Sequence, residues 1–518
     1  MNFIRGLDPL GLQNTSDSTF SLLLPGLNNV TGRIRYYSFY SWLLDEYSKQ
    51  LGNTDPEEQR KFIRKAEYII ALCSQFYPGE RGNIPGSNYA KLKVQNKDSN
   101  TYSLNVGTYN SDGTTANTYW KYSWGAFGQY YLGSMRDIGI IIDREVNGGV
   151  YARTNINENN IISGEELAEA FDTSIQKDKK KLFFNCLTKG FITKDDIADL
   201  LPDFNLTSII KNSEEQKLLI RLLLQKDFPY RIEEEASTHR KESIYHLLNF
   251  IKHEPEKLSD RQFVYSAYTE KGLEKREIKL SLFGWYYYQF NEYWQYANTS
   301  ILNGTLSYLE SNHGPNWVSL QDFISNCSKL ICDVFIDNGY SSSDTTKIKD
   351  IIKKIDPNEY ELYSKTAKDT MINKVCYGFL IMFSQFKNNK EELVQLKEYG
   401  ERFGLAKDGE GAGYFLKIFQ SKLELPLMKY IREYLFKNII YRHQYVAFKK
   451  IRSGGLSTQK FIIEDHHIRY LGNFEASYTG PRIGNLISFL KDLHIISEED
   501  KLTTYGIDIL TQISPSND

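Results

Sequence analysis

One pattern dominates the middle of this sequence: amphipathic stretches that alternate with prolines. Apolar residues recur at helical spacing within each stretch, and these stretches span 165–170, 179–187, 214–224, 243–251, 282–309, 320–336 and 373–386. The prolines fall between them, as expected of residues that end helices: Pro202, Pro229, Pro255, Pro315 and Pro357. The stretches show no fixed period, so a regular solenoid is not indicated. The pattern predicts an all-helical region over residues 161–405.

The length of the chain places this helical region within a larger protein of several parts. The 518 residues exceed the roughly 250–300 at which a single core stops growing, so about three folding units are expected. We predict an N-terminal mixed, mainly helical region over residues 1–160 and a separate C-terminal region over residues 406–518. In the former, Thr54, Asp55 and Pro56 form the start signal of a helix. The expected fold is mainly α, with several subdomains and minor β hairpins.

Composition limits what the chain as a whole can do. Its formal net charge of -2 gives no overall attraction to nucleic acid or to membranes. The five cysteines are odd in number and lack CxxC spacing, so they indicate neither a disulfide framework nor a zinc knuckle. Residues 1–11 lack the apolar stretch of a secretory signal, and no apolar run approaches the length of about 18 residues that spans a membrane. We expect a cytoplasmic protein that does not bind membranes and holds no metal or cofactor.

The C-terminal region carries the most specific pattern. A helix is predicted from Pro426 to about Ile451, followed by short strands within 459–470 and by a new helix after Thr479 and Pro481. One face of that second helix is apolar, and the opposite face presents Arg482, Asn485, Ser488 and Lys491.

The segment LKDLHIISEEDKLTTYG, together with the helix before it, resembles the C-terminal half of a winged-helix domain. The resemblance implies that this helix enters a DNA major groove and that Arg482, Asn485, Ser488 and Lys491 face bases or phosphates. The tip of the wing is acidic at Glu498, Glu499 and Asp500, which phosphate would repel. Winged helices also bind proteins, and an acidic wing suits that use, so both ligands stay open.

The helix over 426–451 adds a second nucleic-acid candidate. Its basic residues are opposed only by Glu433, and tyrosines at 430, 434, 441 and 445 are interleaved with them. A basic, aromatic stretch of this kind can bind phosphate. The positions assigned to nucleic acid are Arg442, Lys449, Lys450 and Arg452. In the alternative, the tyrosines pack in the core and the charges form a solvated face.

Arg240 and His246 are separated by five intervening residues in a helical stretch, RKESIYH. Their spacing resembles the R-x(4-6)-H motif of the helical ribonucleases of the HEPN group. The resemblance implies that the pair stabilises a phosphate and moves a proton during strand cleavage. The alternative interpretation makes His246 a partly buried helix residue and leaves Arg240 in solvent.

Other candidates for chemistry are weaker. On a strand, Glu464 and His466 would face one side and Asp465 and His467 the other, so only two of them could share an ion, and a polar hairpin is favoured. The aromatic runs over 119–131 and 285–296 can be base-stacking platforms, but core or subunit interface is favoured. The sequence lacks G-x-S-x-G and H-E-x-x-H motifs, and we assign no catalytic residue.

The N-terminal stretch GLDPLGLQNTSDSTFSLLLPGLNNVTGRIRYYSFYSWLL is similar to the start of uncharacterised bacterial proteins from antiviral-defence or mobile-element loci. Taken together, the patterns lead us to expect a non-enzymatic DNA-associating or assembly component of a bacterial multi-protein system, with other protein subunits and double-stranded DNA as partners. The alternative is a nuclease-like effector that uses Arg240 and His246 or an unrecognised acidic site.

Overall fold

Helices form most of the described chain, which confirms the predicted mainly α fold class. The computed structural model describes residues 8–28, 30–52, 54–77, 84–95, 100–107, 118–156, 161–226, 237–254, 260–271, 280–407, 409–451 and 457–514. Within these ranges, no helix has both the length and the apolar character needed to cross a membrane.

The first half of the chain contains eleven α-helices in its described residues. They are α1 (Gln13–Leu23), α2 (Arg35–Leu51), α3 (Pro56–Cys73), α4 (Ser87–Val94), α5 (Leu132–Ile138), α6 (Gly164–Ser174), α7 (Lys177–Lys189), α8 (Lys194–Leu200), α9 (Glu214–Leu224), α10 (His239–His253) and α11 (Asp260–Thr269). A π-helical turn over Phe127–Tyr131 precedes α5.

The second half begins with the longest helix of the described chain, α12 (Ser281–His313). After it come α13 (Leu320–Asp337), α14 (Ile348–Lys354), α15 (Glu359–Thr366), α16 (Met371–Asn388), α17 (Leu393–Arg402), α18 (Gly411–Gln420), α19 (Leu427–Tyr434), α20 (Arg442–Lys449), α21 (Ile483–Asp492) and α22 (Thr504–Ile513). A π-helical segment, Leu435–Tyr441, joins α19 directly to α20, so the helix predicted from Pro426 to about Ile451 is confirmed.

Capping residues explain where several helices begin. The side chain of Asp55 accepts a hydrogen bond from the backbone of Glu57 (2.8 Å), and Pro56 is the first helical residue, which confirms the start signal in the sequence. Ser163 and Glu166 form a reciprocal capping box at the start of α6. Both starts depend on residues within one helical turn, which is why a sequence pattern can locate them.

The described strands are short and pair only in small antiparallel sheets. The strands are β1 (Thr101–Ser103), β2 (Ile141–Ile142), β3 (Ala152–Arg153), β4 (Phe191–Thr193), β5 (Val318–Ser319), β6 (Phe461–Glu464) and β7 (His467–Tyr470). β1 pairs with β4, β2 pairs with β3, and the third sheet has the order β5-β7-β6. The hairpin β6–β7 falls where short strands were predicted within 459–470.

The chain divides into two compact units, each assembled from separate stretches. Unit 1 comprises Met1–Phe20, Val264–Lys279 and Phe283–Gly480, and unit 2 comprises Ser21–Phe263, Leu280–Leu282 and Pro481–Asp518. The hairpin β6–β7 therefore belongs to unit 1, whereas α21 and α22 belong to unit 2. The sequence boundaries near residues 160 and 405 stay predictions.

The core of unit 1 lies along α12. Its run from Trp285 to Tyr288 is at most 1% exposed, so the interpretation of this aromatic run as core is confirmed. Glycines bring α12 close to α16: a Cβ atom at Gly378 would lie 2.8 Å from the carbonyl oxygen of Ala297. Any larger side chain there would push the two helices apart.

The core of unit 2 lies along α2. Trp42 is fully buried, and its ring contacts several phenylalanine rings, among them Phe171 at 5.2 Å between centroids. Arg35, also on α2, forms a buried ion pair with Glu215 (3.1 Å) and stacks over the Phe171 ring at 5.1 Å. The side chain of Arg35 is therefore a core element.

Candidate nucleic-acid interface

The four residues predicted to read DNA lie in and just before α21, in unit 2. Arg482 precedes the helix in a left-handed conformation (φ 51°), so the helix begins at Ile483. Asn485 Nδ2 donates to the carbonyl oxygen of Asn28 (2.7 Å), and Ser488 Oγ donates to Gly484 O (3.0 Å). Asn485 and Ser488 thus already make hydrogen bonds within the protein.

Lys491 is the fourth of these residues, and its charge is balanced locally. Its Nζ lies 2.7 Å from Asp500 Oδ1 at the acidic tip. The next residue, Asp492, is buried and lies 2.6 Å from Arg33 Nη1. Burial raises the pKa of Asp492 to about 7, against the opposing effect of Arg33. The exposed part of α21 therefore has little net positive charge to offer a phosphate.

The segment after α21 contains the residues of the predicted wing. Ile496 and Leu502 form an isolated antiparallel bridge, and Ser497 N donates to Lys501 O (2.7 Å) across the turn between them. The last helix, α22, begins at Thr504, capped by Thr503. The winged-helix resemblance itself stays a prediction.

The long helix formed by α19, the π-helical segment and α20 lies in unit 1 and separates its tyrosines into two groups. Tyr430 and Tyr434 are buried (2% and 3% exposed), which matches the core interpretation. Tyr441 and Tyr445 are 48% and 58% exposed. The two interpretations left open by the sequence therefore apply to different turns of one helix.

Two of the predicted nucleic-acid residues on this helix hold the N-terminal segment of the chain. Arg442 donates from Nε to Leu10 O (2.6 Å) and from Nη1 to Gly409 O (2.7 Å). Lys450 Nζ donates to Asp8 O (2.5 Å). Both cations thus satisfy backbone carbonyls. Arg452 lies outside the described residues.

The remaining predicted residue, Lys449, is exposed and belongs to a larger set. Its Nζ lies 4.4 Å from the centre of the Tyr445 ring. Phe448 is 74% exposed, which is unusual for a phenylalanine. Tyr441, Tyr445 and Phe448 are spaced i, i+4, i+7, so they lie along one side of the helix. We call Lys437, Tyr441, Tyr445, Phe448 and Lys449 the basic aromatic face.

Other exposed cations on the same helix extend the positive charge. Arg432 is exposed about one turn before the basic aromatic face, and Lys429 is exposed about two turns before it. The acid among them, Glu433, lies 2.9 Å from Lys422 Nζ. The ion pair lowers the pKa of Glu433, so its carboxylate is charged and already has a partner. The helix therefore presents exposed lysines beside exposed rings.

A groove of about 430 Å³ adjoins the basic aromatic face within unit 1. We call it the basic groove; its lining residues are Ser319, Leu320, Gln321, Ile324, Arg432, Glu433, Phe436, Lys437, Tyr441 and His466. The N-terminus of α13 forms one wall, where Ser319 Oγ accepts from Asp322 N (3.3 Å). The positive end of a helix dipole thus adds to two basic side chains.

Strand pairing explains why these distant segments meet. Ser319 of β5 pairs with His467 of β7, and Leu320 N donates to His466 O (2.8 Å). This pairing holds the start of α13 beside the turn of the β6–β7 hairpin. Sequence reasoning missed the groove because strands of two residues carry no detectable pattern.

The ribonuclease-like pair is positioned differently from the motif it resembles. Arg240 is 1% exposed, and its guanidinium donates to Leu223 O (2.9 Å) and Pro25 O (3.0 Å). His246 is partly buried, and burial lowers its pKa. The expectation that Arg240 lies in solvent is therefore wrong, because backbone carbonyl oxygens of unit 2 accept hydrogen bonds from its guanidinium. We assign no function to this pair.

The acidic and histidine cluster forms a hairpin turn. Asp465 and His466 both have positive φ angles (46° and 62°), so they are the turn residues and do not alternate as on a strand. Glu464 pairs directly with His467 across the hairpin. Among the described residues no group of three potential ligands could hold a metal ion. The polar-hairpin interpretation is confirmed.

Comparison of this chain with protein-family models, with curated proteins and with solved structures finds no match. The candidate site therefore depends on its own geometry: exposed rings, exposed cations and an adjoining basic groove on unit 1.

Proposed function

We propose that this protein is a non-enzymatic component that associates with single-stranded DNA through the basic aromatic face and the basic groove. The observation that supports this most is the row Tyr441, Tyr445 and Phe448, which is exposed along one side of a helix and flanked by Lys437 and Lys449. Exposed rings stack on unpaired bases, and lysines neutralise the phosphates between them.

The same geometry favours a single strand over a duplex. Bases in a duplex are stacked on one another, so rings that project from a helix reach their faces only when the strand is unpaired. The net charge of the whole chain, -2, means that attraction must come from this local surface. Double-stranded DNA, the partner expected from the winged-helix resemblance, is the competing ligand in the test.

Membership of a bacterial multi-protein assembly is part of the same proposal. It is supported by the resemblance of the N-terminal segment to proteins of antiviral-defence loci. The exposed acids Glu498 and Glu499 suit a basic protein surface better than they suit DNA. In this proposal the acidic tip binds a protein subunit, and the helix of unit 1 binds the strand.

Charge reversal at the two lysines tests the proposal. Lys437→Glu with Lys449→Glu is expected to weaken binding of a 20-nucleotide single strand by roughly 10- to 100-fold in fluorescence anisotropy. Because about 0.7 counterions are released per phosphate contact on a single strand, the slope of log K against log salt should fall by about 1.4. Lys354→Glu with Lys390→Glu, exposed on other elements of unit 1, serves as the matched control.

The outcomes of this titration are decisive. Equal loss in the control variant would mean that bulk charge, not this face, drives binding. The proposal would be contradicted if the wild-type protein bound duplex DNA more tightly than a single strand, or if it bound neither of them at low salt.

Removal of the rings tests stacking separately from charge. Tyr445→Ala with Phe448→Ala is expected to weaken single-strand binding by about 2–6 kcal/mol, at about 1–3 kcal/mol for each stacked base. The salt slope should stay unchanged because no cation is lost. Val146→Ala, another highly exposed apolar side chain (78%), is the control for general surface hydrophobicity. A steeper or shallower salt slope in the ring variant would show that these rings do not act by stacking.

A further inference from the structure

Unit 2 contains a separate pocket of about 450 Å³ that the proposed function does not use. Its volume falls within the range of about 300–1,000 Å³ typical of small-molecule sites. Aromatic rings dominate its walls, namely Tyr89, Tyr119, Trp120 and Tyr130, and amides line its edge. None of its lining residues within the described ranges carries a charged group. The pocket is therefore suited to an uncharged, planar ligand.

Two buried ionisable residues of α3 fix the aromatic wall. Glu67 Oε1 accepts hydrogen bonds from Tyr40 OH (2.9 Å) and Phe127 N (2.6 Å), and its other oxygen accepts from Tyr119 OH. Arg64, which is fully buried, donates to Trp120 O (2.9 Å). Both residues act on the segment that supplies Tyr119 and Trp120. The ring positions are thus set by a buried polar framework.

The opposite side of the pocket is shaped to approach those rings closely. A Cβ atom at Gly86 would lie 2.8 Å from the Tyr119 ring, so this position needs glycine. Trp120 Nε1 donates to Gln129 Oε1 (2.8 Å), and the Trp120 and Tyr130 rings meet edge to face at 5.2 Å. The indole therefore has a fixed orientation. A rigid aromatic corner binds a flat ring without losing side-chain freedom.

Polar atoms at the edge of the pocket determine which hydrogen-bonding groups a ligand must carry. Asn88 and Ser87 lie at the N-terminal turn of α4, and Asn485 lies opposite on α21. Nδ2 of Asn485 donates to Asn28 O (2.7 Å), and the amide oxygen of an asparagine side chain is a hydrogen-bond acceptor. Asparagine amides pair with the N6 and N7 positions of adenine.

We infer that this pocket binds an adenine base, stacked on Trp120 and bonded at its edge by Asn88 and Asn485. The base is carried either by a free nucleoside or nucleotide or by a nucleic-acid strand. The inference stands on residues of unit 2 alone and does not depend on the basic aromatic face of unit 1.

Calorimetric titration with adenosine, AMP and a dA oligonucleotide tests the inference and separates the two sources. Adenosine is expected to bind saturably, and Trp120→Ala should weaken it by roughly 5- to 150-fold, the equivalent of about 1–3 kcal/mol of stacking. Asn88→Trp, at an exposed rim position, should abolish binding by filling the mouth without disturbing the core. Tyr122→Ala, 47% exposed and outside the pocket, is the matched control.

Each outcome of these titrations either supports or overturns the inference. Binding of the oligonucleotide but not of adenosine, with loss in Asn88→Trp, would assign the base to a strand and support the inference. The inference would be overturned if adenosine still bound to both pocket variants. It would also be overturned if Asn88→Trp changed the binding of none of the three ligands. Asn88→Trp keeps the test valid if Trp120→Ala does not fold. Lys437→Glu with Lys449→Glu should leave adenosine binding intact, so a failure here is distinct from a failure of the proposed strand interface.

Discussion

Replacement of Arg240 by methionine is expected to lower the free energy of unfolding of unit 2 by about 3–5 kcal/mol. Within the described part of the chain, the guanidinium donates to four carbonyl oxygens, those of Leu223 (2.9 Å), Pro25 (3.0 Å), Leu222 (3.2 Å) and Gln225 (3.3 Å). Methionine fills a similar volume but donates nothing, so several buried carbonyls lose a charged donor. The loss exceeds that of most single substitutions.

The position of these carbonyls explains the size of the effect. α9 ends at Leu224, and the last carbonyls of a helix have no partner within it. Arg240 of α10 supplies that partner and places a positive charge at the negative end of the helix dipole. The same side chain reaches Pro25 O, and Ser243 Oγ donates to Leu23 O (3.1 Å). One arginine thus joins the end of α9 to the segment after α1 within unit 2.

Urea denaturation monitored by circular dichroism, together with hydrogen exchange of residues 214–226, measures the loss. Arg240→Lys should recover only part of the stability because an ammonium group cannot reproduce a forked set of donors. Lys241→Met, on the same helix and half-buried, should change stability by less than about 0.5 kcal/mol. A loss below about 1 kcal/mol in Arg240→Met would contradict the role that we assign to this residue.

Arg240 also shows why a short motif can misdirect. The spacing of Arg240 and His246 is a property of one helix, and it is the same whether the helix faces solvent or core. The partners of Arg240 include Pro25, more than 200 residues away in the sequence. A local sequence pattern cannot predict a partner that is so distant in the sequence. The helix itself was predictable because its apolar spacing is local.

The candidate interface likewise has a part that the sequence predicted and a part that only the fold shows. The basic, tyrosine-rich helix was predicted within a few residues, and Lys449 is exposed as a binding residue must be. Arg442 and Lys450 instead donate to Leu10 and Asp8, which lie more than 400 residues earlier. The sequence showed Tyr441 and Tyr445 among the basic residues of this helix, but only the fold shows that both rings are exposed in unit 1 and that Phe448 is exposed beside them.

A second large effect is expected from pH, through His443 of α20. Its ring is buried and held at both nitrogens: Nδ1 lies 2.9 Å from Pro9 O, and Nε2 accepts from Lys460 N (3.0 Å). This arrangement requires a neutral ring with its proton on Nδ1. A second proton on Nε2 would point at the backbone N–H of Lys460. Burial, assisted by the positive charges of Lys460 and Lys450, lowers the pKa of His443 to about 4.

The direction of the effect follows from proton binding. The ordinary pKa of a histidine side chain is 6.5, so the unfolded chain takes up the proton below that pH while the folded protein does not until about pH 4. The contribution of His443 to stability is therefore complete above pH 6.5 and is lost as the pH falls from 6.5 to 4. Linkage gives a loss of about 2.5 kcal/mol at pH 4.5.

Comparison of wild-type protein with His443→Gln isolates this contribution from that of other titrating groups. The variant should be less stable than wild type at pH 7.5, because glutamine cannot pack against Phe461 as the ring does at 5.1 Å. That difference should shrink by about 2.5 kcal/mol at pH 4.5, since only the wild type loses stability through this ring. Gln444→Ala, its neighbour on α20, removes no titrating group and should keep a constant difference from wild type. An NMR titration of the His443 ring should give a midpoint near pH 4. A midpoint near pH 6.5, together with a stability difference that does not change with pH, would contradict this prediction. It would mean that the folded protein takes up the proton as the unfolded chain does and that the contacts to Pro9 and Lys460 do not hold the ring neutral.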